Sequence, residues 1–106
     1  MTATLKRASA ALTTSRTDIL TASAGLQTII INGLVSNTDA THKAVYFVTV
    51  EVQTGANYRV VLKDAPVAYG GSLQLPKIIL AENDVLQLTA SAASVMEAYI
   101  SYVEKS

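Results

Sequence analysis

Alternation of apolar and polar residues is clearest from Ala44 to Gln53, AVYFVTVEVQ. Successive strand side chains point to opposite faces of a sheet. One face of this segment is wholly apolar and comprises Ala44, Tyr46, Val48, Val50 and Val52. The other face changes from apolar to polar along its length. A strand of this kind needs neighbours in a sheet and a second layer over its apolar face, so the segment predicts a two-layer β-structure around it.

Further short segments show strand patterns: 12–14, 17–20, 26–35, 58–62, 73–75, 77–80, 85–90 and 95–103. Turn residues separate them, among them Gly70-Gly71 and Glu82-Asn83-Asp84, and residues 63–66 read as a break. The connections are too short for the crossovers that parallel strands require. We therefore predict an all-β fold, an antiparallel β-sandwich of Greek-key or jelly-roll type.

The same patterns nominate buried residues. We expect the side chains of Val48, Val50, Leu86, Leu88 and Ile100 in the core. The run Ile29 to Ile31 predicts burial on both faces of its strand. Gly33 in the same segment predicts a bulge or a close approach of another backbone.

Composition limits the function classes. The chain has 106 residues, half of them hydrophobic and 15% charged, with a net charge of zero and no cysteine. These values predict one domain with a real core, and they exclude disulfides and thiolate metal sites. A neutral chain has no overall electrostatic attraction to nucleic acid or to an anionic membrane. Low charge and abundant apolar residues favour self-association, so we expect a homo-oligomer, a dimer or trimer, with Tyr or Phe at its seam.

The N-terminal residues differ from the rest. Residues 1–14 are small and polar with weak alternation, and we predict an extended arm there, followed by a single domain over 15–106. The arm carries Leu5, Lys6, Arg7 and Leu12 and no acid. We expect it to be mobile in the free protein and to order against a partner, its leucines on apolar surface and its cations on carboxylates. These four residues are the predicted partner-binding site.

No sequence pattern indicates a catalytic, cofactor-binding or metal site. His42, the only histidine, lies in a polar loop without an orienting partner in the sequence. Glu82-Asn83-Asp84 lacks the spacing of a calcium loop and reads as a turn. The five tyrosines lack interleaved cations and read as core-edge or interface residues rather than a stacking platform. We predict no catalytic, cofactor or metal site, and no enzyme.

A resemblance comes from the second half of the chain. Gly70-Gly71 is followed by Ser72-Leu73, then by LAENDVLQLTAS over residues 80–91 and by a last strand ending in SYVE at 101–104. This layout is similar to small all-β virion proteins of tailed bacteriophages, in which a glycine turn precedes SL, L..GD.L.V.AS and a terminal S..E. Asn83 stands where glycine is commoner. The resemblance covers residues 26 to 104.

Such a resemblance implies a non-enzymatic structural protein of the virion. The first expectation is a capsid decoration, or cement, protein that binds the major capsid protein and stabilises the phage head. The alternatives are a neck, collar or tail component forming a ring, in contact with neighbouring virion proteins, and a carbohydrate-binding sandwich for attachment to a host surface. The implied location is the virion, assembled in the host bacterial cytoplasm.

Overall fold

A computed structural model describes residues 3–41 and 44–105. These residues form nine strands: β1 Ala3–Ala11, β2 Thr17–Thr21, β3 Gln27–Asn37, β4 Tyr46–Thr54, β5 Asn57–Val67, β6 Ser72–Gln74, β7 Ile78–Leu80, β8 Val85–Ala90 and β9 Met96–Lys105. No helix able to cross a membrane occurs in that part of the chain.

Two antiparallel sheets pack against each other, which confirms the predicted all-β sandwich. Sheet A has the order β1-β9-β3-β6, and β7 pairs with another part of β3. Sheet B has the order β2-β8-β4-β5. Apolar residues at alternate positions of both sheets meet between the layers, as sandwich packing requires. The strand order is compatible with a Greek-key or jelly-roll arrangement, which stays a prediction.

The predicted core is confirmed. Val48, Val50, Leu86, Leu88 and Ile100 are all fully buried. They come from β4 and β8 of sheet B and from β9 of sheet A, so they join the two layers. The organising segment is the inner strand β4, with β8 on one side and β5 on the other.

The N-terminal segment is not an unpaired arm. Strand β1 pairs with β9 in an unbroken antiparallel register from Ala3–Lys105 to Ala11–Glu97. The prediction that this segment lacks the pattern to enter a sheet is wrong. Its inward side chains are small ones, Ala8 and Ala10, and they fit opposite Ile100 and Ala98 without any large apolar signal. The predicted strand at 12–14 is also wrong, since β1 ends at Ala11.

Strand β3 bears on two expectations, the burial of its isoleucines and the role of Gly33. A register shift against β9 between Ile30 and Asn32 turns Ile31 outward, where it is 56% exposed, so the run is not buried on both faces. Gly33 is crowded by side chains and not by another backbone, because a Cβ there would lie 2.9 Å from Cδ1 of Leu75 and 3.0 Å from Cδ1 of Ile100. The predicted bulge lies nearby, at the register shift between Ile30 and Asn32.

Strand β5 continues through the predicted break at 63–66. Register shifts against β4 absorb extra residues, and Asp64 takes a positive φ of 49° there. Its backbone N–H donates to Oγ1 of Thr49 at 3.2 Å, which holds the bulge against β4. A bulge keeps the strand paired across residues that read as a loop in the sequence.

Candidate binding surface

The outward side of sheet A exposes four large apolar side chains. Leu5, Ile31, Ile79 and Tyr99 are 72%, 56%, 55% and 46% exposed, and all four lie on this side; we call them the apolar face. Pairing places Leu5 opposite Val103, Val103 opposite Ile29 and Ile29 opposite Ile79, so one apolar row crosses four strands. Exposed apolar patches of this kind mark interaction sites.

A groove of about 510 Å³ lies at the β1 end of the apolar face. Its walls are Leu5, Lys6, Arg7, Ile31, Tyr99 and Ser101. Arg7 extends over this groove, and its Nη1 donates to the hydroxyl of Tyr99 at 3.4 Å. Within residues 3–41 and 44–105, Arg7 forms no salt bridge. The groove therefore combines apolar walls with a positive charge that has no carboxylate partner there.

Lys6 points to the other side of β1. Its Nζ lies 2.6 Å from Oε1 of Glu104, a largely buried carboxylate on β9. The hydrogen bond and the charge of Glu104 raise the pKa of the Lys6 ammonium above its usual range. Lys6 was expected to meet a carboxylate of a partner, whereas in this structure it pairs with Glu104 of its own chain. Its role toward a partner stays a prediction.

Leu12 is not available to any partner. It is fully buried in the core, and its backbone N–H donates to the carbonyl of Met96 at 2.9 Å. Its inclusion in the predicted contact site is wrong, because alternation along β1 carries it between the sheets. Leu5 and Arg7 remain on the surface, beside Ile31 and Tyr99, which the sequence did not nominate for this site.

The outer side of sheet B also exposes apolar side chains, Phe47, Tyr58 and Val60, and it carries an ion pair among them. Arg16 forms a bidentate ion pair with Glu51 of β4. Its Nε donates to Oε1 at 3.0 Å, and its Nη2 donates to Oε2 at 3.2 Å. Its guanidinium stacks 3.9 Å from the ring centroid of Tyr58 on β5. The pairing with Glu51 raises the pKa of Arg16 above its usual range. Arg16 and Glu51 therefore neutralise each other over this sheet.

Gln87 of β8 extends the polar network on sheet B. Its Nε2 donates to Oδ1 of Asp18 at 2.8 Å and to Oε1 of Gln53 at 2.9 Å. Its own Oε1 is buried and has no hydrogen-bond partner among the residues with a described structure. Arg16, Glu51 and Gln87 are thus engaged with other polar side chains of this sheet, which also exposes Phe47 and Val60.

The loop between β3 and β4 is held by side-chain hydrogen bonds. Asn37 Nδ2 donates to the carbonyls of Ala44 and Val67 at 2.9 and 3.0 Å. The hydroxyl of Tyr46 donates to Oδ2 of Asp39 at 2.7 Å. That hydrogen bond, with desolvation and the negative charge of Asp39, raises the pKa of the Tyr46 phenol. These contacts connect Asn37 and Asp39 to Ala44, Tyr46 and Val67 and leave Asp39 buried.

The residues considered for chemistry have structural roles. Asn83 has a φ of 67°. Asp84 Oδ2 accepts a hydrogen bond from the Ala81 N–H at 3.1 Å, and Glu82 Oε2 accepts one from the Gly25 N–H at 2.7 Å. The segment is therefore the predicted turn. No group of three or more potential metal ligands occurs in residues 3–41 and 44–105. His42 lies outside the described residues.

The tyrosines lie on different sides of the sandwich. Tyr99 belongs to the outer side of sheet A, and Tyr58 to the outer side of sheet B. Tyr46 and Tyr102 are half-buried against the core, and Tyr69 sits in the turn before β6. The five rings therefore do not form one stacking platform.

Comparison with known proteins gives one likeness of fold. Over 98% of this chain and 87% of the other, the structure matches a chain from the acidic stable capsid structure of Helicobacter pylori bacteriophage KHP30, with a TM-score of 0.56 and 8% sequence identity. Neither a protein-family model nor a curated protein sequence matches the chain. At this identity the likeness shows a shared fold.

Proposed function

We propose that this protein is a non-enzymatic structural component of a bacteriophage virion, and that it decorates and stabilises the head. The observation that carries the proposal is the match over nearly the full length of both chains to a chain from a phage capsid. It agrees with the independent resemblance of residues 26 to 104 to small virion proteins of tailed phages. Summed over many symmetry-related copies, weak contacts of one domain stabilise a shell.

The difference between the two sheets favours decoration over the alternatives. A decoration protein binds a shell with one side and faces water with the other. Sheet A offers the apolar face together with Arg7, which has no salt bridge in the described residues, whereas sheet B exposes Phe47 and Val60 beside Arg16 and Glu51, which pair with each other. A neck, collar or tail ring, the second candidate, needs neighbours on two flanks. A carbohydrate-binding sandwich, the third, needs a sugar site that a glycan array with purified protein would identify.

Rebinding to heads tests the proposal. Phage heads lacking the protein are mixed with purified protein, and binding is measured by co-sedimentation together with the temperature at which the heads release DNA. We expect saturable binding and a higher release temperature. Ile31→Asp should weaken binding, while Val60→Asp, at a site equally exposed on sheet B, should not. Failure of the wild type to bind heads, or binding to tails alone, would refute the decoration role.

Homo-oligomerisation is part of the same proposal. Exposed aromatic residues at a possible seam are Phe47, Tyr58, Tyr69 and Tyr99. Light scattering at tens of micromolar should report a dimer or trimer. A monomer under those conditions would remove the oligomer from the proposal and leave binding to the major capsid protein or neighbouring virion proteins as the source of avidity.

A further inference from the structure

Most sheet edges in the described chain are too short or too irregular to pair with another strand. Strands β6 and β7 have three residues each, and β2 has five with a register shift. Strand β5 is long, but it carries register shifts, the positive-φ Asp64 and Pro66. Such features are the ones by which proteins protect edges from pairing with other chains.

Strand β1 is the exception among these edges. It has nine residues, no proline, no glycine and no register shift against β9. It pairs with β9 on one side, and no other strand of residues 3–41 and 44–105 pairs with it. A long, regular and exposed edge is a template for an added strand.

Hydrogen-bond geometry shows which groups of β1 are free for this pairing. Leu12 N donates to Met96 O in the same register as the ladder, so residues at even positions of β1 bond to β9. The β3 side agrees, because Thr38 N donates to Val95 O and β9 thus bonds to β3 through its odd positions. The N–H and C=O groups of Leu5, Arg7 and Ser9 therefore point away from the sheet, to the open edge.

The charges on β1 indicate what kind of strand can pair with its open edge. The described β1 carries Lys6 and Arg7 and no acid, and Arg7 has no salt bridge within the described residues. Two copies of β1 paired with each other would bring two Arg7 guanidinium groups to one side of the shared sheet with no carboxylate on either strand, and Glu104 is already paired with Lys6, so this pairing is unfavourable. A strand that places an acidic side chain opposite Arg7 and apolar side chains beside it would neutralise the charge and cover Leu5, which is 72% exposed.

We propose that β1 accepts an added antiparallel strand from a different protein, an extended segment with an acidic residue flanked two positions away by apolar ones. In sheet A this strand would lie beside β1 as a further edge, with its outward side chains continuing the apolar face. The open edge is a property of this chain alone, whereas the identification of the donor as a neighbouring virion protein rests on the proposed function.

The probe is the peptide acetyl-Ser-Val-Thr-Glu-Thr-Val-Ser-amide, whose symmetric pattern places Glu opposite Arg7. Binding and amide exchange are followed by NMR on the full chain. In the free protein the amides of Lys6 and Ala8 should be protected and those of Leu5, Arg7 and Ser9 should exchange fast. Peptide should protect the second set. Replacing its Glu by Lys should weaken binding about tenfold, and N-methylation of its Val and Glu nitrogens should abolish binding.

Protein variants test the same edge. Ser9→Pro removes an outward N–H without removing a bond to β9, and should weaken peptide binding at least about tenfold. Ser9→Ala keeps the N–H and should change binding less than about twofold. If Ser9→Pro does not fold, the N-methylated peptide gives the same comparison on the wild type.

Three results would overturn the inference: no peptide binding at millimolar concentration, equal binding of the N-methylated peptide, or protection of Leu5, Arg7 and Ser9 that rises with protein concentration alone. The last result would identify a second copy as the occupant. Peptide binding by a protein that does not bind heads would refute the proposed function and leave the open edge standing.

Discussion

Lys6 Nζ lies 2.6 Å from Oε1 of Glu104, so the first strand is tied to the last by an ion pair as well as by a backbone ladder. Glu104 is 9% exposed, and Lys6 is the ammonium paired with this largely buried carboxylate. The sequence predicted that this segment is a free arm that binds a partner. In the structure it is instead a strand of the domain itself.

Deletion of residues 2–11 tests this relationship. The arm prediction expected an unchanged melting temperature, but the structure predicts that the deletion uncovers β9 and leaves Glu104 without its cation. A domain of this size loses about 4–8 °C in melting temperature for each kcal/mol of unfolding free energy that it loses. Loss of the whole strand should cost more than one kcal/mol, so we expect the melting temperature to fall by about 8 °C or more. The measurement is thermal denaturation followed by circular dichroism.

A matched control is Lys6→Met, which removes the ion pair and retains the strand. It should lower the melting temperature less than the deletion does. An unchanged melting temperature for the deletion variant would show that β1 contributes nothing to stability, against this account.

The core gives a second prediction. Leu88 is fully buried on β8, and Leu88→Ala should lower the free energy of unfolding by about 2–5 kcal/mol in urea denaturation. Ile79→Ala, at a 55% exposed position of the apolar face, should cost less than about 1 kcal/mol. Equal losses for the two variants would contradict the assignment of inner and outer sides.

Gly33 gives a third prediction. Gly33→Ala places a methyl group 2.9 Å from Cδ1 of Leu75, closer than real Cβ contacts allow, and should cost about 1–3 kcal/mol. Adding Leu75→Ala removes that Cδ1 atom, so the double variant should lose less than the sum of the two single losses. Additive losses in urea denaturation would show that Gly33 is not packed against Leu75.

Tyr46 gives a prediction of pH dependence. Its pKa is raised in the folded state, chiefly by the hydrogen bond to Asp39. A raised pKa means that this stability is fully present below the unfolded value, near pH 10, and is lost as pH rises through the folded pKa. Urea denaturation from pH 8 to 11.5 should show a steeper decline for the wild type than for Tyr46→Phe. Parallel declines would mean that the hydrogen bond is absent in solution.

The sequence pattern was sufficient to predict strands and buried residues wherever large apolar residues alternate with other residues. Strands β3, β4, β8 and β9 follow from such alternation, and the buried Leu86 and Leu88 follow with them. Strand β1 could not be found in this way, because its inward positions are Ala8 and Ala10. Small residues give little hydrophobic signal, and they fit here only because β9 supplies Ile100 opposite Ala8.

The candidate surface was predictable only in part. Leu5 and Arg7 stood out in sequence as an apolar and a cationic residue in a segment without acids. Ile31 did not stand out in the sequence, because its exposure depends on a register shift between β3 and β9 that cannot be predicted from residue type. Tyr99 joins them because β1 pairs with β9, and its hydroxyl accepts a hydrogen bond from Arg7, 92 positions away in sequence, a contact that local pattern does not contain.

The most direct test of the proposed decoration role is a density map of intact phage particles that contain this chain. We predict density for the β-sandwich on the outer surface of the head, repeated with the symmetry of the shell, with the apolar face of sheet A toward the shell and the outer side of sheet B toward water. Density for the chain in a ring at the neck or tail, and none on the head, would contradict the decoration role.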